Sequence, residues 1–212
     1  MLKEACVETL EQAVNAERLG ADRLELCSRL DLDGLTPEIP LYKRVREVVS
    51  IPIHVMIRIK PIQAPDDFIL SEEDLVQMEK QIRDFQQLKA EGFVIGALSL
   101  LKQVSIDQVK RLSNLLQGEK FIFHKAIDRT IDPIASAIQL ERETAITHIL
   151  TSGGAETAQQ GKEVMKQMQE QLDRVIVIAA GGITDQNLPA LDEYLNISEY
   201  HGKKIVGNLH QD

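Results

Sequence analysis

The chain has 212 residues, of which 43% are hydrophobic and 27% are charged, and its formal net charge is -9. This is an ordinary globular composition, and the length is sufficient for one large hydrophobic core. Nucleic-acid-binding domains usually carry a basic surface, and a membrane-spanning helix needs about 20 consecutive apolar residues. The sequence has neither feature, so we expect no nucleic-acid partner and no membrane span.

The N-terminal residues and the two cysteines bear on the cellular location of the protein. The first residues, MLKEACVETLEQ, lack the apolar region of a secretory signal. Disulfides are rare in the cytosol. We therefore expect a cytoplasmic protein in which Cys6 and Cys27 are reduced thiols.

Short apolar segments alternate with longer segments of helical spacing along the whole chain. Strands are predicted at 3–8, 22–28, 51–58, 92–98, 120–128, 147–153, 174–182 and 197–202. Helices are predicted between them, one of them over 41–49. Their starts are indicated by capping boxes at Ser71 with Asp74 and at Ser105 with Gln108, and by Asp132 before a proline.

Strands that alternate with helices favour parallel pairing through right-handed crossovers. Eight such units in a chain of this length predict a compact (β/α)8 TIM barrel that forms one domain over residues 1–212. An open, doubly wound sheet is the alternative, but no G-x-G-x-x-G motif follows the first strand. The longest irregular segment, 60–68, is a candidate lid over the barrel mouth.

Alternation of side chains along a strand predicts which residues point into the barrel. The expected inward residues share polar or sulfur-containing side chains and come from four strands: Glu4, Cys6, Glu8, Glu25, Cys27, His54, Met56, Arg58, His124 and Asp128. Each has a structural interpretation as well, since cysteine and methionine fill cores and buried charges form ion-pair networks. Branched aliphatic residues are enough to fill a barrel, so this many polar groups together indicate a functional site.

Two glycine-rich loops follow the sixth and seventh strands. They contain Ser152, Gly153 and Gly154, and then Gly181 and Gly182. Glycines let backbone N–H groups approach an anion, and barrels often bind phosphate after their last strands. We predict an anion site here, although the same glycines also suit tight turns.

Several segments together resemble the CutC family of copper homeostasis proteins: EACVET, GADRLELC, GLTP, IPIHVMIR, FHKAIDR, ILTSGG and AAGGITDQNL. The resemblance runs from the first strand to the eighth. It implies a (β/α)8 barrel, a cytoplasmic location and a role in copper handling, and it places the family's two proposed copper-binding cysteines at Cys6 and Cys27. The chain departs from the family pattern at residues 58–62, RIKPI, and at residues 200–204, YHGKK.

Two functions follow as hypotheses. The first is binding of Cu(I), which prefers thiolate, thioether and imidazole ligands. Cys6 and Cys27 lie on neighbouring predicted strands at similar heights, so their sulfur atoms are expected to approach each other. Met56, His54 and His124 are candidates to supplement them.

The second hypothesis is an enzyme that acts on a small anionic metabolite, phosphorylated or sugar-like, at the barrel mouth. Glu8 and Glu25 are candidate general bases, His124 and Asp128 candidate proton shuttles, and Arg58 a candidate anion anchor. The sequence leaves lyase, isomerase and hydrolase chemistry open. Homo-oligomerisation is also compatible with a barrel this small.

Overall fold

A computed structural model describes residues 1–61 and 68–210. In these residues, eight parallel strands form a closed barrel whose spatial order follows the chain, with the last strand paired to the first. The strands are β1 Leu2–Val7, β2 Arg23–Leu26, β3 Ile53–Met56, β4 Gly92–Ile95, β5 Lys120–Phe123, β6 His148–Thr151, β7 Ile176–Ala179 and β8 Glu199–Gly202. The predicted TIM barrel is confirmed, and closure between β8 and β1 excludes the open sheet.

The helices surround the barrel and follow successive strands. They are α1 Leu10–Arg18, α2 Ile39–Val48, α3 Glu72–Gln87, α4 Ile106–Ser113, α5 Pro133–Glu143, α6 Ala158–Gln171 and α7 Leu188–Leu195. Two short 3-10 helices, Leu30–Leu32 and Lys125–Arg129, lie in the loops after β2 and β5. No helix in the described ranges is long and apolar enough to cross a membrane.

Helix starts agree with two of the three predicted caps. Ser71 and Asp74 form a complete capping box, and the Asp132 side chain accepts from two backbone N–H groups of α5. Ser105 makes no capping hydrogen bond, so that prediction is wrong. The expected partner, Gln108, instead donates from its side chain to Leu70 O at 3.1 Å, because a tertiary contact competes with the local cap.

The predicted fifth strand, 120–128, is too long. β5 ends at Phe123 because the side chain of His124 accepts a hydrogen bond from the N–H of Ala126, 3.1 Å away. This local bond turns the chain into the 3-10 helix. Asp128 therefore reaches the barrel mouth from a loop and not from a strand.

The barrel interior has two different halves. The main hydrophobic core lies between the strands and the helices. Inside the barrel, β4 to β7 supply the aliphatic residues Val94, Ile122, Leu150 and Ile178, which pack with both cysteines and Met56. The polar interior residues come mainly from β8, β1, β2 and β3. Of the predicted lid at 60–68, residues 62–67 lie outside the described part of the chain.

Candidate functional site

The two cysteines meet at the carboxyl ends of β1 and β2. Cys6 is opposite Glu25 in the strand register, and Cys27 directly follows β2 on the same side as Glu25. The two Sγ atoms are 3.9 Å apart, and both thiols are free and buried. The geometry therefore brings together the two sulfur atoms that the sequence placed on neighbouring strands.

Glu25 lies beside the thiol pair. Its Oε2 is 3.6 Å from Cys27 Sγ, whereas its Oε1 has no hydrogen-bond partner among the described residues. One ligand atom from each of Cys6, Glu25 and Cys27 lies within 4.8 Å of the other two. Burial, together with negative charge at Cys6, raises the pKa of Glu25 well above its ordinary value.

The hydrogen bond between the thiols makes them differ in acidity. Donation from Cys27 holds the pKa of Cys6 well below its ordinary value, although burial alone would raise it. The same bond, with burial, raises the pKa of the Cys27 thiol. Cys6 is therefore the more acidic thiol of the pair.

His201 in β8 completes this group, and sequence reasoning missed it. Its Nδ1 is 2.9 Å from Glu4 Oε1, and its Nε2 is 3.6 Å from Glu25 Oε2. Burial alone would lower the pKa of His201, but the charge of Glu25 and the contact with Cys6 raise it well above its usual value. The available signal was strand parity, since Glu4 and His201 are opposite each other in the β1–β8 register.

A buried ion-pair network lies one layer deeper in the barrel. The Arg23 guanidinium is 2.5 Å from Glu4 and 2.5 Å from Glu199. His54 Nδ1 lies 3.0 Å from Glu4, and His148 Nε2 lies 3.4 Å from Glu199. These ion pairs hold the charged side chains together below the layer that carries the thiols, although His54 Nδ1 makes no hydrogen bond of good geometry among the described residues.

Two of the supplementary metal ligands named from the sequence occupy different environments. Met56 packs with Cys6 and Cys27 and lines the cavity at the barrel mouth. His54 belongs to the deeper network through Glu4, and burial lowers its pKa. The structure thus brings Met56, but not His54, to the thiol pair.

The candidate catalytic residues Glu8 and Arg58 have structural partners. Glu8 Oε2 accepts a hydrogen bond from the N–H of Leu30 at 2.8 Å. The Arg58 guanidinium donates to the carbonyls of Leu32 at 2.5 Å and Asp33 at 2.9 Å. Both residues therefore hold the loop after β2 in place, and Arg58 also lines the cavity.

His124 is a buried, neutral histidine in the cavity wall. Burial, and then the charge of Arg58, lower its pKa to about 3. Its Nδ1 accepts from the N–H of Ala126, so the ring proton is on Nε2. That Nε2 has no partner among the described residues.

The loop after β6 already holds an anion, the carboxylate of Asp128. The N–H of Ser152 lies 3.0 Å from Asp128 Oδ2, and the N–H of Gly154 lies 2.9 Å from Oδ1. The N–H of Gly153 donates to Thr151 Oγ1. This loop has the anion-binding chemistry expected from its sequence, but within the described chain an internal carboxylate uses it.

The loop after β7 is different. The backbone N–H groups of Gly181, Gly182 and Ile183 donate to no acceptor in the described residues. All three residues line the cavity. Of the two predicted anion loops, only this one has donors that remain available.

The cavity opens at the carboxyl ends of the strands and has a volume of about 910 Å³. Cys6, Glu25 and His201 lie in its wall with Met56 and His124. Cys27 is fully buried and does not line the cavity. Of the two thiols, only Cys6 is therefore in the cavity wall.

Fold and geometry together define a (β/α)8-barrel protein with a cavity at the mouth of the barrel, lined by Cys6, Glu25 and His201. Residues 1–206 match the sequence model of the CutC family, and the chain belongs to that family. The human copper homeostasis protein cutC homolog is 36% identical over 94% of this chain and 72% of its own length. A family protein CutC from Histophilus somni (strain 2336) is 35% identical over 93% of this chain and 80% of its own length.

Solved structures agree with this assignment. A CutC protein from Streptococcus agalactiae has a TM-score of 0.87 at 25% identity, covering 97% of this chain and 99% of its own. A phosphoribosyl anthranilate isomerase from Thermococcus kodakaraensis has a TM-score of 0.60 at 15% identity, covering 94% and 86%. The second likeness shows a shared barrel fold only. The CutC resemblance stated from the sequence is confirmed.

Proposed function

We propose that Cys6 and Cys27 bind one Cu(I) ion at the floor of the cavity, as the chemical basis of a role in copper homeostasis. The observation that carries this proposal is the 3.9 Å separation of the two Sγ atoms. Thiolates are the protein ligands that Cu(I) prefers. Human and mouse relatives of this chain are named copper homeostasis protein cutC homologs.

The spacing of the sulfur atoms favours a three-coordinate ion. With metal–sulfur bonds of roughly 2.3 Å, a linear site needs sulfur atoms about 4.6 Å apart. At 3.9 Å the same bonds subtend an angle of about 115°, close to trigonal. A third ligand is therefore expected. The thioether of Met56 is the soft donor packed with both cysteines, whereas Glu25 offers a hard oxygen.

Binding would release protons. Both thiols must be deprotonated to bind the metal as thiolates, and the raised pKa of Cys27 makes its proton the harder one to remove. Metal affinity should therefore increase with pH, because the metal competes with that proton. Reduced, buried thiols of this kind also suit a cytoplasmic location.

Titration with Cu(I) against a competing chelator tests the proposal. Cys6→Ser and Cys27→Ser should each weaken binding by more than the roughly 10- to 100-fold typical of outer-shell substitutions. His210→Gln is the matched control, because the imidazole of His210 is exposed and lies outside the cavity lining. This substitution should remove only adventitious copper binding. Unchanged affinity in the double cysteine variant would overturn the proposal.

X-ray absorption of the Cu(I) complex distinguishes the third ligand. Three sulfur scatterers are expected for the wild-type protein and two for Met56→Leu. A spectrum of Met56→Leu identical to that of the wild type would exclude the thioether from the site.

A further inference from the structure

The loop after β7 contributes three successive residues to the cavity wall. Gly181, Gly182 and Ile183 line the cavity, and none of their N–H groups donates to a described residue. Buried and cavity-facing backbone donors in native proteins are almost always paired. Donors left open at a cavity wall indicate that a ligand or solvent supplies the acceptors.

The backbone conformation of this loop forms an open concavity. Gly181 and Gly182 have φ values of +104° and +70°, which glycine adopts with little strain. Successive N–H groups in such turns converge on anions. A Cβ atom added at Gly182 would have no atom within 4 Å, so the space in front of this residue is open.

Positive charge lies next to these donors. Lys203 and Lys204 directly follow β8 and line the same cavity. A bridge between Thr184 and Lys204 fixes the two loops side by side. Lys203 Nζ donates to the carbonyl of Leu30 at 3.0 Å, whereas Lys204 has no ion-pair partner among the described residues. In a chain of net charge -9, this unpaired cation favours an anion at the loop.

The homologous position after β6 shows what such a loop binds. There, the N–H groups of Ser152 and Gly154 hold the two carboxylate oxygens of Asp128. The β7 loop repeats the paired glycines, but no carboxylate of the described residues accepts from it. An external anion can therefore take the place that Asp128 has in the loop after β6.

A second unpartnered donor belongs to His124, another residue of the cavity wall. His124 Nε2 is buried and without a partner, and it carries the ring proton because Nδ1 accepts from Ala126. The ring is held in place, since it packs against Gly96 so tightly that a Cβ there would lie 2.1 Å from Cε1. It can donate to an oxygen atom on the organic part of a ligand.

We propose that the cavity binds a small phosphate monoester, with the phosphate on the N–H groups of Gly181–Ile183 beside Lys204 and an organic oxygen on His124 Nε2. A phosphate group offers three acceptor oxygens and up to two negative charges, which matches three donors and a cation. The cavity of about 910 Å³ is at the upper end of the range for small-molecule sites and far larger than a metal ion requires. This site goes beyond copper binding and does not depend on the cysteines.

Amide NMR titrations of the full chain with ribose 5-phosphate, ribose and inorganic phosphate test the proposal. Ribose 5-phosphate should shift the amide resonances of Gly181, Gly182 and Ile183 and bind more tightly than inorganic phosphate. Ribose alone should leave them unchanged. Absence of shifts at these amides with either phosphate probe would overturn the proposal, as would binding at Ser152–Gly154 instead.

Three substitutions distinguish a direct effect on phosphate binding from an effect of backbone strain. Gly182→Ala places a methyl group in the open concavity and should weaken ribose 5-phosphate binding about tenfold or more, because charge-assisted hydrogen bonds are lost. Gly20→Ala is the matched control, since Gly20 has φ +91° and also no atom within 4 Å of an added Cβ. Lys204→Gln should weaken binding without any backbone strain. Equal affinity for Gly182→Ala, Lys204→Gln and Gly20→Ala would refute the site.

His124→Phe tests the proposed hydrogen bond between His124 Nε2 and the organic part of the ligand. It should reduce the preference for ribose 5-phosphate over inorganic phosphate and leave the affinity for inorganic phosphate unchanged. An unaltered preference would remove His124 from the proposed site.

Discussion

Replacing Arg23 by methionine should destabilise the protein by about 3–5 kcal/mol at neutral pH, because it leaves buried carboxylates without a counterion. Arg23 is only 6% exposed. Its guanidinium lies 2.5 Å from Glu4 and 2.5 Å from Glu199, both inside the barrel. Methionine retains much of the side-chain volume, so the loss reports mainly on charge rather than on a cavity.

The pH dependence of this loss provides the sharper test. Burial alone would raise the pKa of Glu4, but Arg23 and two histidines hold it well below 4.5, and Glu199 is lowered in the same way. A carboxyl with a depressed pKa stabilises the fold above its unfolded-state pKa and loses that contribution as pH falls through the folded-state pKa. Without Arg23, both pKa values should rise, so the carboxyls neutralise in mild acid. The stability difference should therefore be largest near pH 7 and should decrease as the pH falls through mild acid, where the carboxyls of the variant take up protons while those of the parent protein stay ionised.

Urea unfolding of both proteins at about pH 7 and about pH 4 measures the difference. Lys80→Met is the control, because the Lys80 side chain is 75% exposed and its ion pair with Asp84 should contribute roughly 0.5 kcal/mol or less. A loss below about 1 kcal/mol for Arg23→Met, or a loss independent of pH, would refute the reasoning.

Three further predictions concern the barrel mouth. Asp128→Asn should lower the free energy of unfolding by about 1–3 kcal/mol and accelerate hydrogen exchange at the amides of Ser152 and Gly154. Unchanged protection of these amides would contradict the hydrogen bonds described for this loop. Gly96→Ala should lower the free energy of unfolding by about 1–3 kcal/mol, because the new Cβ would lie 2.1 Å from the ring of His124. An unchanged melting temperature would contradict a fixed position for this ring. The pKa of His124, lowered from 6.5 to about 3, predicts that its imidazole stays neutral through about pH 5 in NMR titrations. Its contribution to stability should be complete above pH 6.5 and decrease as pH falls toward about 3, so a ring titration near pH 6.5 would show that this pKa is wrong.

Strand parity accounts for what the sequence predicted well. Side-chain alternation is a local property, so Cys6, Glu25 and Cys27 could be assigned to one face before any tertiary contact was known. The same rule, applied to YHGKK, would have placed His201 on the inward face of the eighth strand. These residues had drawn notice only as a departure from the family pattern, and the role of the histidine was therefore missed.

Tertiary partners account for what the sequence could not predict. The two glycine loops, TSGG and AAGG, look equivalent in the sequence. Only the first faces Asp128, which lies 24 residues from Ser152 along the chain. Likewise, two of the three carbonyl partners of Arg58 among the described residues come from the loop after β2, at Leu32 and Asp33. Pairings of this kind depend on how separate elements pack, and periodicity contains no information about them.

The polar half of the barrel interior also affects the strand register with which the barrel closes. Side chains return to the same face when neighbouring strands slip by two residues. Such a slip between β1 and β8 would place Glu4 opposite Glu199 instead of His201, and one between β1 and β2 would place it opposite Glu25 instead of Arg23. Both errors bring two buried carboxylates face to face, whereas aliphatic side chains would tolerate either. The charges near β1 therefore encode the stagger of the barrel at the junction between its first and last strands.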